Sequence, residues 1–404
     1  MARPNPRLPA RAALAAISLI AALIVLTGCG SPDSATSTQP AIGVTGTTAK
    51  QAGSLPDLAY PALATKNTTR VASADPVITA AAVARAVYPG GATNPKPQAI
   101  ALADAGDWRA ALAGAVLMAP PVRAPLLFTK GGEVPSVTRT ALDALAPTGV
   151  ATTDRPQAFR LGIAGSPAGL RSQAVAGNDA ATLAANVDAL RTQLAGRPSP
   201  SVVIVSADDP AFAMPAAAWA AKSGDPVLFV THAGVPDATR QAITLHGRPR
   251  IYLLGPTKVI TQATERQLEQ FGGVTRIDAP TPAASAVRFA RFSDGAFGWG
   301  IVDPGHGLVV ASPARPADAG AAAPLSASGM YGPLLVSDAG GGLPKALSDY
   351  LLDIRSGYSS DPVRGVYNRA WIVGDSAAVS VTTQATIDGL LEIAPVSNKP
   401  LLSP

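Results

Sequence analysis

Short apolar runs and stretches of helical period alternate along most of the chain, most plainly in its middle third. SVVIVSADD at 201–209 is an unbroken apolar run ending in a small polar loop, the pattern of a strand buried on both faces. AFAMPAAAWAAKSG at 211–224 reads as a helix stopped by Gly224. A second strand follows at 226–230, then a helix over VPDATRQAITLHG and a third strand at 250–254. Thr261 caps a third helix, and Val274, Thr275, Arg276 and Ile277 make a short last strand. Strands separated by helices at this spacing predict a parallel, doubly wound α/β sheet.

The pattern occurs three times. TRVASADPVITAAAVA begins at Thr69 and TRIDAPTPAASAVRFA begins at Thr275, with five of the sixteen positions identical. Halfway between them AVAGNDAATLAANV begins at Ala174, so the distance covers two periods. Strand one recurs over 98–103 and 307–311, and strand two over 125–128 and 333–336. Strand three recurs over 370–375 and, in a degraded stretch, over 158–161, while the third copy carries an extra loop at 356–369. The fold class expected is α/β: three tandem doubly wound parallel-sheet modules, over 67–173, 174–274 and 275–393, with a tail at 394–404.

Residues 1–28 stand apart. Arg3, Arg7 and Arg11 precede an uncharged aliphatic run that ends in Leu26-Thr27-Gly28-Cys29. The run is short for a membrane span and suits a signal peptide. The ending resembles the lipobox of bacterial lipoproteins, which implies a diacylglycerol on the Cys29 sulfur, a mature chain starting there, and an anchor on the outer face of the cell membrane. Cys29 is the chain's one cysteine, so no disulfide can form within it. Residues 29–66 are rich in Ser, Thr, Gly and Pro with no apolar period, and read as a disordered tether.

Charge narrows the partners. Of the net charge of +5, three units sit in the signal segment. The rest divides into +4 over 69–173, 0 over 174–274 and −2 over 275–404, which excludes a basic nucleic-acid binder and leaves the first copy the one suited to an anionic partner.

Catalytic chemistry is sparse. His232, His246 and His306 lack metal-ligand spacing, so neither metal nor cofactor is expected. Gly374-Asp375-Ser376 resembles a degraded nucleophile elbow, but a Gly/Ser turn from strand to helix belongs to any such module. The glycines at 340–342 lack the lysine of a phosphate loop. Binding residues are sought instead beyond the carboxyl ends of the strands. The loops after strand one offer Asp104, Asp107, Trp108 and Arg109, then Asp208 and Asp209, then Arg315. Trp108 beside Arg109 can stack a sugar and pair with a phosphate or carboxylate. The alternative is that these are turn residues capping the next helix. Trp219 reads as core, and Trp299 fits either role.

The repeats resemble the cell wall-binding repeat type 2 family of Gram-positive bacteria. The resemblance rests on Pro226-Val227-Leu228, on Leu254-Gly255-Pro256-Thr257, and on Thr275-Arg276-Ile277. Thr69-Arg70-Val71 with Asp75, Thr79 and Ala80 opens the first copy, and Gly177, Asp179 and Ala184 match the second. It departs where Pro76, Ala180 and Pro282 replace the arginine after the signature aspartate, where Thr281 replaces that aspartate, and where Pro256 replaces a glycine. The family implies three modules about a pseudo-threefold axis that bind anionic cell-wall polymer non-covalently. The function expected is a non-catalytic, membrane-tethered envelope protein whose repeats bind or organise such a polymer or polysaccharide. The competing classes are a lipoprotein enzyme acting on wall glycan and a solute-binding lipoprotein of a transporter.

Overall fold

The computed structural model describes residues 63–71 and 73–396; the signal segment, Cys29 and most of the tether lie outside the described residues. Chain order gives β1 (Leu63–Ala64), β2 (Thr68–Val71) and α1 (Pro76–Val87), the last capped by the Asp75 side chain. The first sheet then builds from β3 (Ile100–Asp104), α2 (Trp108–Gly114), a 3-10 turn at Ala115–Met118, β4 (Leu126–Thr129), α3 (Ser136–Leu145), β5 (Ala158–Leu161) and β6 (Ser172–Val175). After α4 (Ala180–Ala195) the second sheet takes β7 (Ser201–Ser206), α5 (Pro210–Ala213), α6 (Pro215–Ser223), β8 (Val227–Val230), α7 (Asp237–Leu245), β9 (Arg250–Leu254), α8 (Gln262–Leu268) and β10 (Gly273–Ile277). The last third runs α9 (Pro282–Arg291), β11 (Gly307–Ala311), α10 (Ala317–Ala327), β12 (Leu334–Val336), α11 (Lys345–Asp353), β13 (Gly357–Tyr358), β14 (Arg369–Val373), α12 (Val381–Leu390) and β15 (Ala394–Pro395).

Three sheets share one order. The first runs β4-β3-β5-β6 and the second β8-β7-β9-β10, all parallel. The third runs β12-β11-β14-β2, also parallel, with β1 antiparallel on the outer edge of β2. Each is a mixed α/β unit in which strand one lies between strands two and three.

The fourth strand of the third sheet comes from the opposite end of the chain. Thr69-Arg70-Val71, the expected opening of the first copy, pairs with Trp371, Ile372 and Val373. The same shift holds throughout: the strand that opens a sequence copy completes the sheet before it. The cause is an edge. Without β2, the outer side of β14 would present unpaired backbone groups. Two smaller corrections follow at the ends: the tether expected through residue 66 already contains β1, and the expected tail contributes β15, which pairs with β13 of the extra loop.

An arginine secures two of these joints. Arg276 on β10 donates from Nη1 to the Gly255 carbonyl (2.6 Å) and from Nη2 to the Ile260 carbonyl (2.9 Å) and Glu265 (2.8 Å). Arg70 on β2, buried, donates to the carbonyls of Gly374 (3.0 Å) and Asp375 (2.8 Å) and to Gln384 Oε1 (2.7 Å). In the first sheet that position on β6 is Ala174, and its ladder partner Arg160 on β5 caps the Ala164 carbonyl instead (2.6 Å). The arginine has moved one strand over while still serving the turn after strand three.

The helices that follow strand one meet in the centre. α10 packs on α2 and α6, and α6 packs on α2 and the 3-10 turn behind it. All three are rich in alanine and almost wholly buried, which lets their backbones approach closely. Gly320 marks the limit: a Cβ there would stand 2.4 Å from the Ala111 carbonyl oxygen. Both faces of the third sheet are apolar. Val309 and Ala311 face the main core, and Leu308 and Val310 face a separate cluster under α11 and α12. Among the described residues no helix is long and apolar enough to cross a membrane.

Candidate functional site

In a sheet ordered two-one-three-four, the loops after strands one and three diverge to opposite sides, and a crevice opens between them at the carboxyl edge. The three crevices differ. In the third sheet Arg315 turns inward: it donates to Ser73 O and to Thr79 Oγ1 (3.3 Å) and pairs with Asp318 (2.9 Å), close to the Gly374 turn. Burial pushes the Asp318 carboxyl up to about 6, and the charge of Arg315 opposes that rise. Arg315 is therefore packing at a seam rather than offered outward as a ligand group. In the second sheet Phe212 and Val259 lie against Gly255.

The first crevice stays open, with a volume of ≈ 330 Å³. Asp107 and Arg109 form one wall, Gly162 and Gly177 the floor, and Asn178 and Asp179 the other wall. Asp107 caps α2 by accepting from the backbone N–H groups of Arg109 and Ala110, each at 3.0 Å. Asp179 caps α4 from the facing side, accepting from Thr182 N (2.9 Å) and Thr182 Oγ1 (2.7 Å). The Thr182 backbone bond leads in holding that carboxyl below its usual range. The Asp179 carboxylate is thus ionised and committed to its helix. Gly177 permits the closeness: a Cβ there would fall 2.5 Å from Leu183 Cα.

The sequence-selected residues divide among three places. Asp104 ties two loops, accepting from Gly106 N (2.9 Å) and Gly132 N (3.3 Å). Trp108 is half-buried, its ring edge-on to Phe229 of the neighbouring sheet with centroids 6.0 Å apart. The Arg109 guanidinium sits 4.6 Å from the Trp108 ring centroid, and its Nε donates to the Ala207 carbonyl (2.7 Å). The stacking partner of Trp108 is therefore its own neighbour, and the pair joins the first sheet to the second. Asp208 and Asp209 lie away from this crevice around His232, which donates its backbone N–H to Asp208 Oδ2 (2.8 Å) and places Nε2 3.2 Å from Asp209.

Gly162, Asn178 and Asp179 were not among the selected ligand residues. The strand-end rule applies equally to strands three and four, and the Gly-x-Asp after strand four was legible. The arrangement offers a guanidinium and an amide side chain to a polar group, beside two carboxylates that cap α2 and α4. Among the described residues no group of three or more His, Cys, Asp and Glu side chains is placed to hold a metal ion.

Three parallel sheets of one order, each completed by the next copy, define a ring-closed α/β repeat protein. Residues 174–265 match the model of the family Cell wall binding domain 2 (CWB2). The fold is also that of two solved structures from Clostridium difficile. Cwp6 aligns at a TM-score of 0.65 with 15% identity over 83% of this chain and 49% of its own. Cwp8 aligns at 0.60 with 16% identity over 80% of this chain and 52% of its own. The chain thus spans about half the length of these structures. No curated protein matches it in sequence.

Proposed function

We propose that this is a non-catalytic cell-envelope protein, tethered to the outer face of the membrane through an acylated Cys29, whose repeats bind or organise an anionic cell-wall polymer. The observation that carries the reading is the CWB2 match over 174–265, because its opening residues Gly177 and Asp179 line the open crevice opposite Arg109. The tether rests on the sequence alone: one cysteine, at the end of a signal-like segment. The charge of the first copy supports an anionic partner, and a salt-sensitive interaction is the physical consequence, since exposed charges are screened within about 8 Å at 0.15 M salt.

Co-sedimentation of the full chain with purified cell-wall fractions tests this. Wild-type protein is retained and released by salt. Arg109→Ala is retained several-fold less while still folding, its stability lowered by about 1–2 kcal/mol for the lost bond to Ala207 and contact with Trp108. Equal retention of a folded Arg109→Ala would remove the crevice from the reading. Retention no better than that of an unrelated protein of the same charge would end it. Detergent partitioning of Cys29→Ser separates the anchor from the wall: the variant either stays uncleaved or leaves the detergent phase, and unchanged partitioning of the processed variant would refute acylation.

A further inference from the structure

We propose that the cavity at the amino edge of the second sheet is an oxyanion site that takes a phosphate or carboxylate group of a glycan-sized ligand. The proposal rests on the polymer-binding reading only for the source of the anion; its charge argument is separate. The cavity has a volume of ≈ 370 Å³, within the range of small-molecule sites. Its walls are the second half of α4, the loop from Arg197 to Ser201 and the end of α6, on the edge of the sheet opposite the crevices.

Three cations line it: Arg191, Arg197 and Lys222. Among the described residues none of them has a carboxylate within ion-pair distance. Lys222 instead places its ammonium 3.7 Å from the Tyr331 ring centroid. Arg191 is the telling residue. Its Nε is buried and has no hydrogen-bond partner. Its guanidinium lies close to Gly224, where a Cβ would come within 2.4 Å of Nη2. A residue other than glycine at that turn, with φ of +82°, would push the arginine out of the cavity. A half-buried guanidinium with no carboxylate in contact is costly, and an anion in the cavity would meet its remaining N–H groups.

Two carboxylates also reach the cavity, and both are engaged elsewhere. Asp225 accepts from Ser199 Oγ at one oxygen and from Trp219 Nε1 (2.7 Å) at the other. Asp188 pairs with His246 Nε2 (2.7 Å), and the His246 Nδ1 meets the Ser199 carbonyl (2.8 Å). Since both ring nitrogens face acceptors, His246 carries a proton on each and adds a fourth positive charge beside the cavity. Burial raises the Asp225 carboxyl, and the hydrogen bonds from Ser199 and Trp219 oppose that rise. Four cations against two committed carboxylates leave the cavity positive, and Thr192 lines it as well; the Ser199 and Ser223 hydroxyls already donate to Asp225 and to the Trp219 carbonyl.

Calorimetric titration of the full chain with inorganic phosphate, at constant ionic strength set by chloride, is the test. Wild type binds, and the double variant Arg197→Ala/Lys222→Ala and the single variant Arg191→Gln each lose at least tenfold in affinity. Lys345→Ala, on an exposed helix of the third copy, loses nothing. Parallel titrations with glycerol 1-phosphate and glucuronate decide whether a phosphate or a carboxylate is preferred. Should Arg191→Gln fail to fold, the double variant alone decides. Undiminished phosphate affinity in the double variant, or no binding beyond the chloride control, overturns the site. A loss of stability without a change in affinity would show that Arg191 only balances Asp188 and Asp225. Phosphate binding by a chain that ignores wall fractions would keep this site while ending the polymer reading.

Discussion

At the scale of single residues, several arginines serve the fold itself. Arg70, Arg276 and Arg160 cap backbone carbonyls at turns, Arg315 fills a seam, and Arg109 reaches the next sheet. His246 is the residue with a pH consequence. Burial pulls its pKa down, but the hydrogen bond and charge of Asp188 outweigh that, and the net shift is upward. Its folded value therefore lies above the ordinary unfolded value of about 6.5. The contribution to stability is fully present below about pH 6.5 and is lost as pH rises through the folded value. Chemical denaturation from pH 5.5 to 9 should show stability falling over that window in wild type, with a flatter profile in His246→Gln. Identical slopes would mean that the imidazolium is not what the pair stabilises.

At the scale of elements, small side chains set the spacing. The alanines that gave the middle copy its helix signal are the contact surface between α2, α6 and α10. Gly320→Ala tests how tight that contact is. Alanine favours a helix by up to about 1 kcal/mol over glycine. Overpacking against the Ala111 carbonyl costs about 1–3 kcal/mol, because backbone cannot step aside as a side chain can. The packing term wins, and the urea midpoint of Gly320→Ala should fall. A rise would show that the helices separate without penalty.

At the scale of the molecule, closure is the main event. A repeat array ordinarily leaves its first and last units half-covered. Here β2 completes the third sheet, and the joint is reinforced by hydrogen bonds from Asn67 N to Asp388 Oδ1 (2.7 Å) and from Gln384 Nε2 to Thr68 Oγ1 (3.0 Å). Deleting residues 63–71 removes β1 and β2, the Arg70 grip and the cover on β14 together. The shortened chain should melt at a lower temperature and self-associate through the bared edge in size-exclusion chromatography. A monomer melting like wild type would show that closure adds no stability.

The pattern of apolar positions determined the repeating strands and most of their helices, though not β1, β13 or β15, because burial on both faces writes a strand as an unbroken apolar run and a helix as a 3.6-residue period. It also determined the threefold repeat, the alanine-rich helices and the caps at Thr261 and Asp107, since these depend on neighbours in sequence. It placed Trp219 in the core, where that residue is buried against Phe297. The pairing of Thr69-Arg70-Val71 with the last copy was not legible, because a short strand of this composition suits any open edge. Nor was the fate of the strand-end loops. Asp107, Asp208 and Arg315 are alike as loop residues in sequence, yet one borders a crevice, one holds a histidine loop and one fills a seam. Their roles depend on which side chain from a neighbouring copy arrives opposite, and only the ring of three sheets decides that.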